Sequence, residues 1–424
     1  MNKRDVNSLR KEAERHLVNE LLPFWIARIK DHKNGGYITH FDKDGQDTKE
    51  DEKSLIAQTR CLYTVSSAYR AGFGDLAYVG LARHGADFLI DKMWDKEHGG
   101  LYWMMDRTGN VKIDQKIIYG QSFAIYSLCE YSMATGDQRG MDYAEKVFDL
   151  LQKYCADTMH GGYWEMFQRN WTPCGPGRKG GNRKTLDVHM HLMEAFTSLY
   201  ECTGKEVHRR KLLELIEILI KRIIHPIYKT GIPQFYGDWK MAPQIKFDIT
   251  WGWDRYSKEG TKGNATDNTC YGHNAEFAWL LIRALQILKT DAGIYIDTIQ
   301  NILDHTVDNG IDYELGGVYV EGPHSGGVYD MEKEFWQQAE VLIAMLDGVT
   351  MFGDEKYWKA YTNVHRFVMD KVVNRGVGEW YPLLSRNGEP IWTHMGHSWK
   401  INYHTVRSMI QSIHRLDTIM ANME

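Results

Sequence analysis

Gly99-Gly100-Leu101-Tyr102-Trp103 is one copy of a short phrase that recurs along the chain. Gly35-Gly36-Tyr37-Ile38, Gly161-Gly162-Tyr163-Trp164 and Gly316-Gly317-Val318-Tyr319 repeat it closely. Gly231-Ile232-Pro233-Gln234-Phe235-Tyr236 and Gly376-Val377-Gly378-Glu379-Trp380-Tyr381 are looser copies. The glycines permit tight positive-φ backbone, and the aromatic residues after them suit short strands. Apolar residues at helical spacing fill the intervals: 6–30, 53–71, 76–94, 117–135, 139–157, 185–203, 207–225, 273–289, 292–308, 333–352, 355–373 and 400–420. This pattern predicts about twelve helices with little strand, and each phrase follows an odd-numbered helix. Each unit therefore reads helix, Gly-Gly turn, short hairpin, helix. Units recur every ~60–70 residues, except for a longer one that begins at Gly231.

A lone helix pair cannot bury its apolar faces, so the units must pack on one another. Six pairs closing on themselves give an all-α (α/α)6 barrel, with odd helices outside, even helices inside and short β-hairpins at one end. An open solenoid is the alternative. The closed form makes residues 1–424 a single domain and brings the starts of the inner helices to the same end as the hairpins. Function is expected there. Several connections at that end are longer than packing requires. Residues 38–52 are charged, 165–184 are Gly-rich and basic (Arg169, Arg178, Lys179, Arg183, Lys184), and 237–270 carry Trp239, Trp251, Trp253, Asp254 and Arg255. With Gly252, Gly260 and Gly263 as hinges, this last segment is expected to act as a lid.

The net charge of −5, with acids and bases interspersed, argues against nucleic acid as the main partner. The 14 Trp and 24 Tyr suit stacking on sugars or bases, and equally suit core packing. Six cysteines (Cys61, Cys129, Cys155, Cys174, Cys202, Cys270) are scattered without CxxC or zinc spacing, which reads as reduced thiols in a cytoplasmic protein. The N-terminus leads into a charged amphipathic stretch rather than an apolar signal core, and no run approaches a membrane span. A monomer or weak homodimer is expected.

The inner helix starts carry the chemistry. The second helix offers Arg60, the fourth Tyr119, and the sixth Asp187, His189 and His191. The eighth offers His273 and Glu276, the tenth Trp336, and the twelfth Trp399 and His404. Gly272 and Asn274 mark a helix start, so His273 sits near a helix N-terminus, where the dipole disfavours the imidazolium. Glu276 lies one turn on and is expected to fix the tautomer of His273. Taken alone, His273 and Glu276 read equally as a buried helix-start histidine with a capping acid.

Three functions compete for this set. A metal site would use His191, His273, His404 and a carboxylate, but HExxH spacing is absent. A glycoside hydrolase would need a carboxylate pair flanking a bond. A proton-transfer enzyme would set histidines about a carbon acid, with an Arg or a further His to stabilise an oxyanion, and this fits the inventory best. Neither a P-loop nor a dinucleotide fingerprint appears.

The chain resembles the N-acylglucosamine 2-epimerase superfamily, and its cellobiose and mannose 2-epimerase branch in particular. The resemblance rests on Lys53 to Arg60, Lys116 to Gln121, His189 and His191, Gly272 to Glu276, Phe335 to Glu340, and Trp399 to His404. It implies an (α/α)6 barrel and reversible inversion at C2 of an unmodified aldose, with neither metal nor organic cofactor. It implies that His273 and His404 are the acid/base pair and that Glu276 supports the first of them. Arg60 and His191 would bind the open-chain sugar near its C1 and C2 oxygens, and Trp336 and Trp399 would pack on it. Tyr119, Asp187, Trp251 and Asp254 complete the expected substrate-binding set. Asp187 stands where cellobiose epimerases commonly have Asn, and Phe335-Trp336 where they have two Trp. These departures favour D-mannose–D-glucose interconversion over cellobiose epimerisation. A sugar-binding protein on the same barrel is the non-enzymatic alternative.

Overall fold

The computed structural model describes residues 1–249 and 263–423. The lid expected of Trp251, Gly252, Trp253, Asp254, Arg255 and Gly260 lies outside the described residues. Six inner helices are almost wholly buried: α3 (Leu55–Arg70), α5 (Ile118–Thr135), α7 (Leu186–Thr203), α9 (Tyr271–Leu288), α11 (Phe335–Phe352) and α13 (Asn402–Ala421). Six amphipathic rods surround them. The first is α1 (Lys3–His16) with α2 (Leu22–Ile26). The others are α4 (Leu76–Phe88), α6 (Gln138–Leu150), α8 (Glu206–Ile218), α10 (Ile296–His305) and α12 (Glu355–Phe367). Each inner helix packs on the next, from α3 round to α13, and α13 packs back on α3. The ring is therefore closed, and the architecture is the expected (α/α)6 barrel.

Every outer rod contains a five-residue π-turn (Leu17–Leu21, Leu89–Met93, Leu151–Cys155, Leu219–Ile223, Thr306–Gly310 and Val368–Val372). Beyond each rod the chain doubles back across a single bridge of constant span: Lys30 to Tyr37, Trp94 to Leu101, Ala156 to Tyr163, Ile224 to Gly231, Ile311 to Val318 and Val373 to Trp380. The second glycine of the turn is confined by sterics. At Gly36 (φ +66) a Cβ would lie 2.6 Å from Gln58 Oε1, and at Gly162 (φ +77) it would lie 2.8 Å from His189 Nε2. Those side chains pin the turn. The Gln58 amide accepts from the Tyr37 N–H at 2.7 Å and donates to its carbonyl at 2.8 Å. Gln121 does the same to Leu101, and Gln338 to Val318. His189 Nε2 accepts from the Tyr163 N–H at 3.0 Å, and Asn274 Oδ1 accepts from the Gly231 N–H at 2.8 Å.

A buried ion pair recurs at the same level in five of the six units. Lys53 binds Asp31 (2.8 Å), Lys116 binds Asp95 (3.1 Å), Lys184 binds Asp157 (2.7 Å), Lys333 binds Asp312 (3.1 Å) and Lys400 binds Glu379 (3.0 Å). The fourth unit replaces both charges together. Thr269 stands at the Lys position and donates to the Gly231 carbonyl, while His225 Nδ1 accepts from the amides of Ile227 and Tyr228, as the aspartates do in their own turns. A neutral acceptor suffices where no ammonium needs a partner.

The expected short hairpins are present, as in Met104–Met105 with Val111–Ile113 and Leu383–Leu384 with Pro390–Trp392, and further strand pairs join the units. The residues just before an inner helix pair with the following unit: Lys53 with Met105, Lys116 with Phe167, Arg183 with Tyr236, Thr269 with Gly322, and Lys333 with Leu384. These strands tie neighbouring units together at the end where the inner helices begin. Basic residues of 165–184 are also engaged in ion pairs, Arg169 and Arg178 between units and Lys184 within its own. Arg169 pairs with Asp95 and Glu97, Lys184 with Asp157, and Arg178 with Asp248.

Candidate active site

The constant register sets the side chains of the inner helices in layers. Seven residues after the pairing Lys, or after Thr269, stand Arg60, Phe123, His191, Glu276, Glu340 and Arg407. One turn earlier stand His273 and His404. A cavity of about 250 Å³ opens above this layer. Arg60, Tyr119, Asp187, His191, His273, Glu276, Trp336, Trp399 and His404 all line it. The structure thus brings together every predicted site residue except Trp251 and Asp254, which lie outside the described residues.

Arg60 is buried, with Nη1 donating to the Trp399 carbonyl and Nη2 to the Tyr119 hydroxyl, both at 3.0 Å. Its guanidinium also lies over the rings of Phe123, Trp399 and Tyr403. Tyr119 stacks on Trp399 with centroids 5.1 Å apart. Trp336 lies between two imidazoles, 4.7 Å from the ring of His273 and 5.9 Å from that of His404.

The three histidines have different surroundings. His191 Nδ1 meets Glu194 at 2.9 Å, and its Nε2 lies 3.4 Å from Asp187. Burial disfavours its cation, but the two carboxylates outweigh burial and raise the pKa to about 10, so the ring is an imidazolium. His404 Nδ1 donates to Glu340 at 2.6 Å, which leaves Nε2 as the acceptor nitrogen of a neutral ring. Burial lowers its pKa to about 3; Glu340 opposes this, while Arg60 and Arg407 add to it. His273, the third residue of α9, is 27% exposed, and its Nε2 lies 3.6 Å from Asp187. Burial lowers its pKa; Asp187 opposes this and the charged His191 adds to it. Asp187 Oδ1 thus faces two imidazoles and has no hydrogen-bond partner among the described residues.

The expectation for Glu276 is corrected. It does not meet the ring of His273; its Oε1 accepts from Arg407 Nη2 at 2.9 Å. The spacing would allow the contact, as His191 and Glu194 show on α7, but the Arg407 guanidinium on α13 takes the Glu276 carboxylate instead. His189 is likewise a structural group, with Nδ1 donating to the Thr185 carbonyl and Nε2 holding the Tyr163 amide.

Sequence reasoning missed Glu194 and Arg407 and gave Glu340 no role. All three are at most 1% exposed. Arg407 donates to Glu194 (2.7 Å), Glu276 (2.9 Å) and Glu340 (2.7 Å), and Glu340 also accepts from Trp279 Nε1 at 2.8 Å. The available signal was a charge at a fixed register position on an otherwise apolar helix. Burial raises the pKa of Glu276, with the Glu340 charge adding to it, whereas Arg407 and His404 hold Glu340 low against burial. Glu276, Glu340 and His404 place potential metal-ligating atoms within 4.8 Å of one another. The guanidinium of Arg407 already bridges the two carboxylates there and supplies the positive charge a metal ion would bring.

The sequence matches the N-acylglucosamine 2-epimerase family over residues 36–408. It is similar to the cellobiose 2-epimerase of Dictyoglomus turgidum, 28% identical over 97% of this chain and 100% of that one. It is also similar to the D-mannose isomerase of Marinomonas mediterranea, 24% identical over 92% of this chain and 93% of that one. The solved cellobiose 2-epimerase of Bacillus thermoamylovorans superposes with a TM-score of 0.86 at 27% identity, covering 96% of this chain and 100% of that one. The chain belongs to the N-acylglucosamine 2-epimerase family and is an enzyme of the sugar 2-epimerase class.

Proposed function

We propose that the protein interconverts D-mannose and D-glucose by removing and returning the proton at C2. The observation that carries this reading is the different surroundings of the pocket histidines: His191 meets two carboxylates, and His404 meets one through Nδ1. His404, neutral and held by Nδ1, presents Nε2 as a base, and the partly exposed His273 is the second proton carrier. Arg60 and the imidazolium of His191 supply the positive charge that an enediolate on C1 and C2 requires. Asp187, between His191 and His273, is placed to accept a sugar hydroxyl or the ring-opening proton. Trp336 offers its face to the sugar ring between the two acid/base imidazoles.

The monosaccharide reading is supported by Asp187, by Phe335 beside Trp336, and by a cavity of about 250 Å³, which is small for a ligand pocket. Cellobiose 2-epimerisation is the second reading, favoured by the similarity to cellobiose 2-epimerases over the whole chain. Incubation with D-mannose, D-glucose, cellobiose and mannobiose, without additives and followed by chromatography, separates them. Mannose and glucose interconverting faster than cellobiose is epimerised supports the proposal. Conversion of cellobiose alone establishes the second reading, shortened disaccharides indicate a hydrolase, and no conversion indicates a sugar-binding protein.

A further inference from the structure

Half-buried Asp187 and three buried glutamates, Glu194, Glu276 and Glu340, lie in or behind the pocket wall with three cations: Arg60, the His191 imidazolium and Arg407. Asp187 belongs to the pocket itself, and the three glutamates converge on Arg407 from three successive inner helices, α7, α9 and α11. Two of those glutamates are the Nδ1 partners of the two rings that differ in charge: Glu194 holds His191 and Glu340 holds His404. Among the described residues, Arg407 is the one side chain that donates to both glutamates.

We propose that Arg407 is a positioning residue that fixes His191 as the charged ring and His404 as the neutral one through this shared carboxylate hub. The reading rests on the proton-transfer roles given above for these rings. By clamping Glu194 and Glu340 as anions it orients both imidazoles through Nδ1. By placing its own charge beside His404 it opposes a proton on that ring. Glu276, the third member, is the carboxylate that burial and the neighbouring Glu340 charge push up, to about 8, against His191 and Arg407. The groups facing the hub from other elements agree with this division. Arg60 on α3 adds positive charge near His404, Tyr126 on α5 and Trp279 on α9 face the guanidinium, and Tyr403 on α13 donates to Glu194 at 2.9 Å.

The test is the pH profile of turnover in Arg407→Met and Arg407→Lys. Loss of the cation beside His404 lets that ring hold its proton to higher pH, so the acid limb of kcat in R407M moves up by about one unit or more. Returning the charge in R407K brings the limb at least halfway back. A purely structural arginine would lower kcat and Tm with the limb unmoved, and that result overturns the proposal. A second measurement needs neither variant nor substrate. In ¹⁵N-histidine spectra of the wild-type enzyme near neutral pH, His191 is protonated on both nitrogens and His404 on Nδ1 alone. Equal charge on the two rings overturns the proposal even if the variant does not fold. Because the spectra do not depend on turnover, they separate failure of the hub from failure of the epimerase reading.

Discussion

At the scale of the residue, Asp187 most directly sets this pocket's chemistry. Its Oδ1 lies 3.4 Å from His191 and 3.6 Å from His273. Asp187→Asn removes the charge and keeps the shape. The pKa of His191, raised to about 10 against burial by Asp187 and Glu194, then falls toward its ordinary value. The imidazolium is the form present below that pKa, so its contribution is lost earlier as pH rises. The alkaline limb of kcat therefore moves to lower pH in D187N, with turnover at neutral pH reduced less than at mildly alkaline pH; a pH–rate profile checks this. The nine described residues that were predicted from helix starts and motif resemblance share one cavity, because position on an inner helix alone decides which end a side chain faces. Glu194 and Arg407 were not legible. Their neighbours on α7 and α13 read as core, and although Arg407 falls at the register position of Arg60 and His191, its three carboxylate partners come from other helices, which no local stretch of sequence shows.

At the scale of the element, the two histidines of α7 separate cleanly. His189 occupies the register position filled by Gln58, Gln121 and Gln338 in other units, and it holds the Tyr163 amide as they hold theirs. His189→Gln therefore leaves kcat and Tm close to wild type, since glutamine makes the same bond elsewhere in this chain. His191→Gln lowers kcat by about 10²-fold or more, the scale expected when an oxyanion partner is removed. Parallel kinetics and thermal melts of the two variants decide the matter. Helices and Gly-Gly turns could be read from the sequence because their periodicity and their backbone demands are local. The strand pairings between units could not. Lys53 pairs with Met105 and Arg183 with Tyr236 across unit boundaries, and such short segments carry no alternation to read.

At the scale of the whole molecule, the fold also buries His324 and half-buries His394, neither of which lines the pocket. Burial lowers the pKa of His324 to about 4, with His225 adding to it, and that of His394 to about 4, with Lys400 and His40 adding to it. In the unfolded chain both groups take up protons near their ordinary value of about 6.5. Between the two values the unfolded state binds more protons than the native state, so stability rises with pH there and is lost as pH falls from about 6.5 toward 4. Melting temperature should drop steadily over that window, and His324→Gln should flatten the decline; scanning calorimetry across it provides the check.

The central claim is that C2 of the sugar is a carbon acid and that histidines carry its proton. Turnover in heavy water, followed by NMR or mass spectrometry of the product, tests it most directly. An abstracted proton on an imidazole nitrogen exchanges with solvent, so the product carries deuterium at C2 and recovered substrate gains it more slowly. Label in nearly every early product molecule indicates delivery by the second of His273 and His404, and partial label indicates one histidine acting twice. Product with an unlabelled C2 would contradict the account and remove both histidines from the roles given to them.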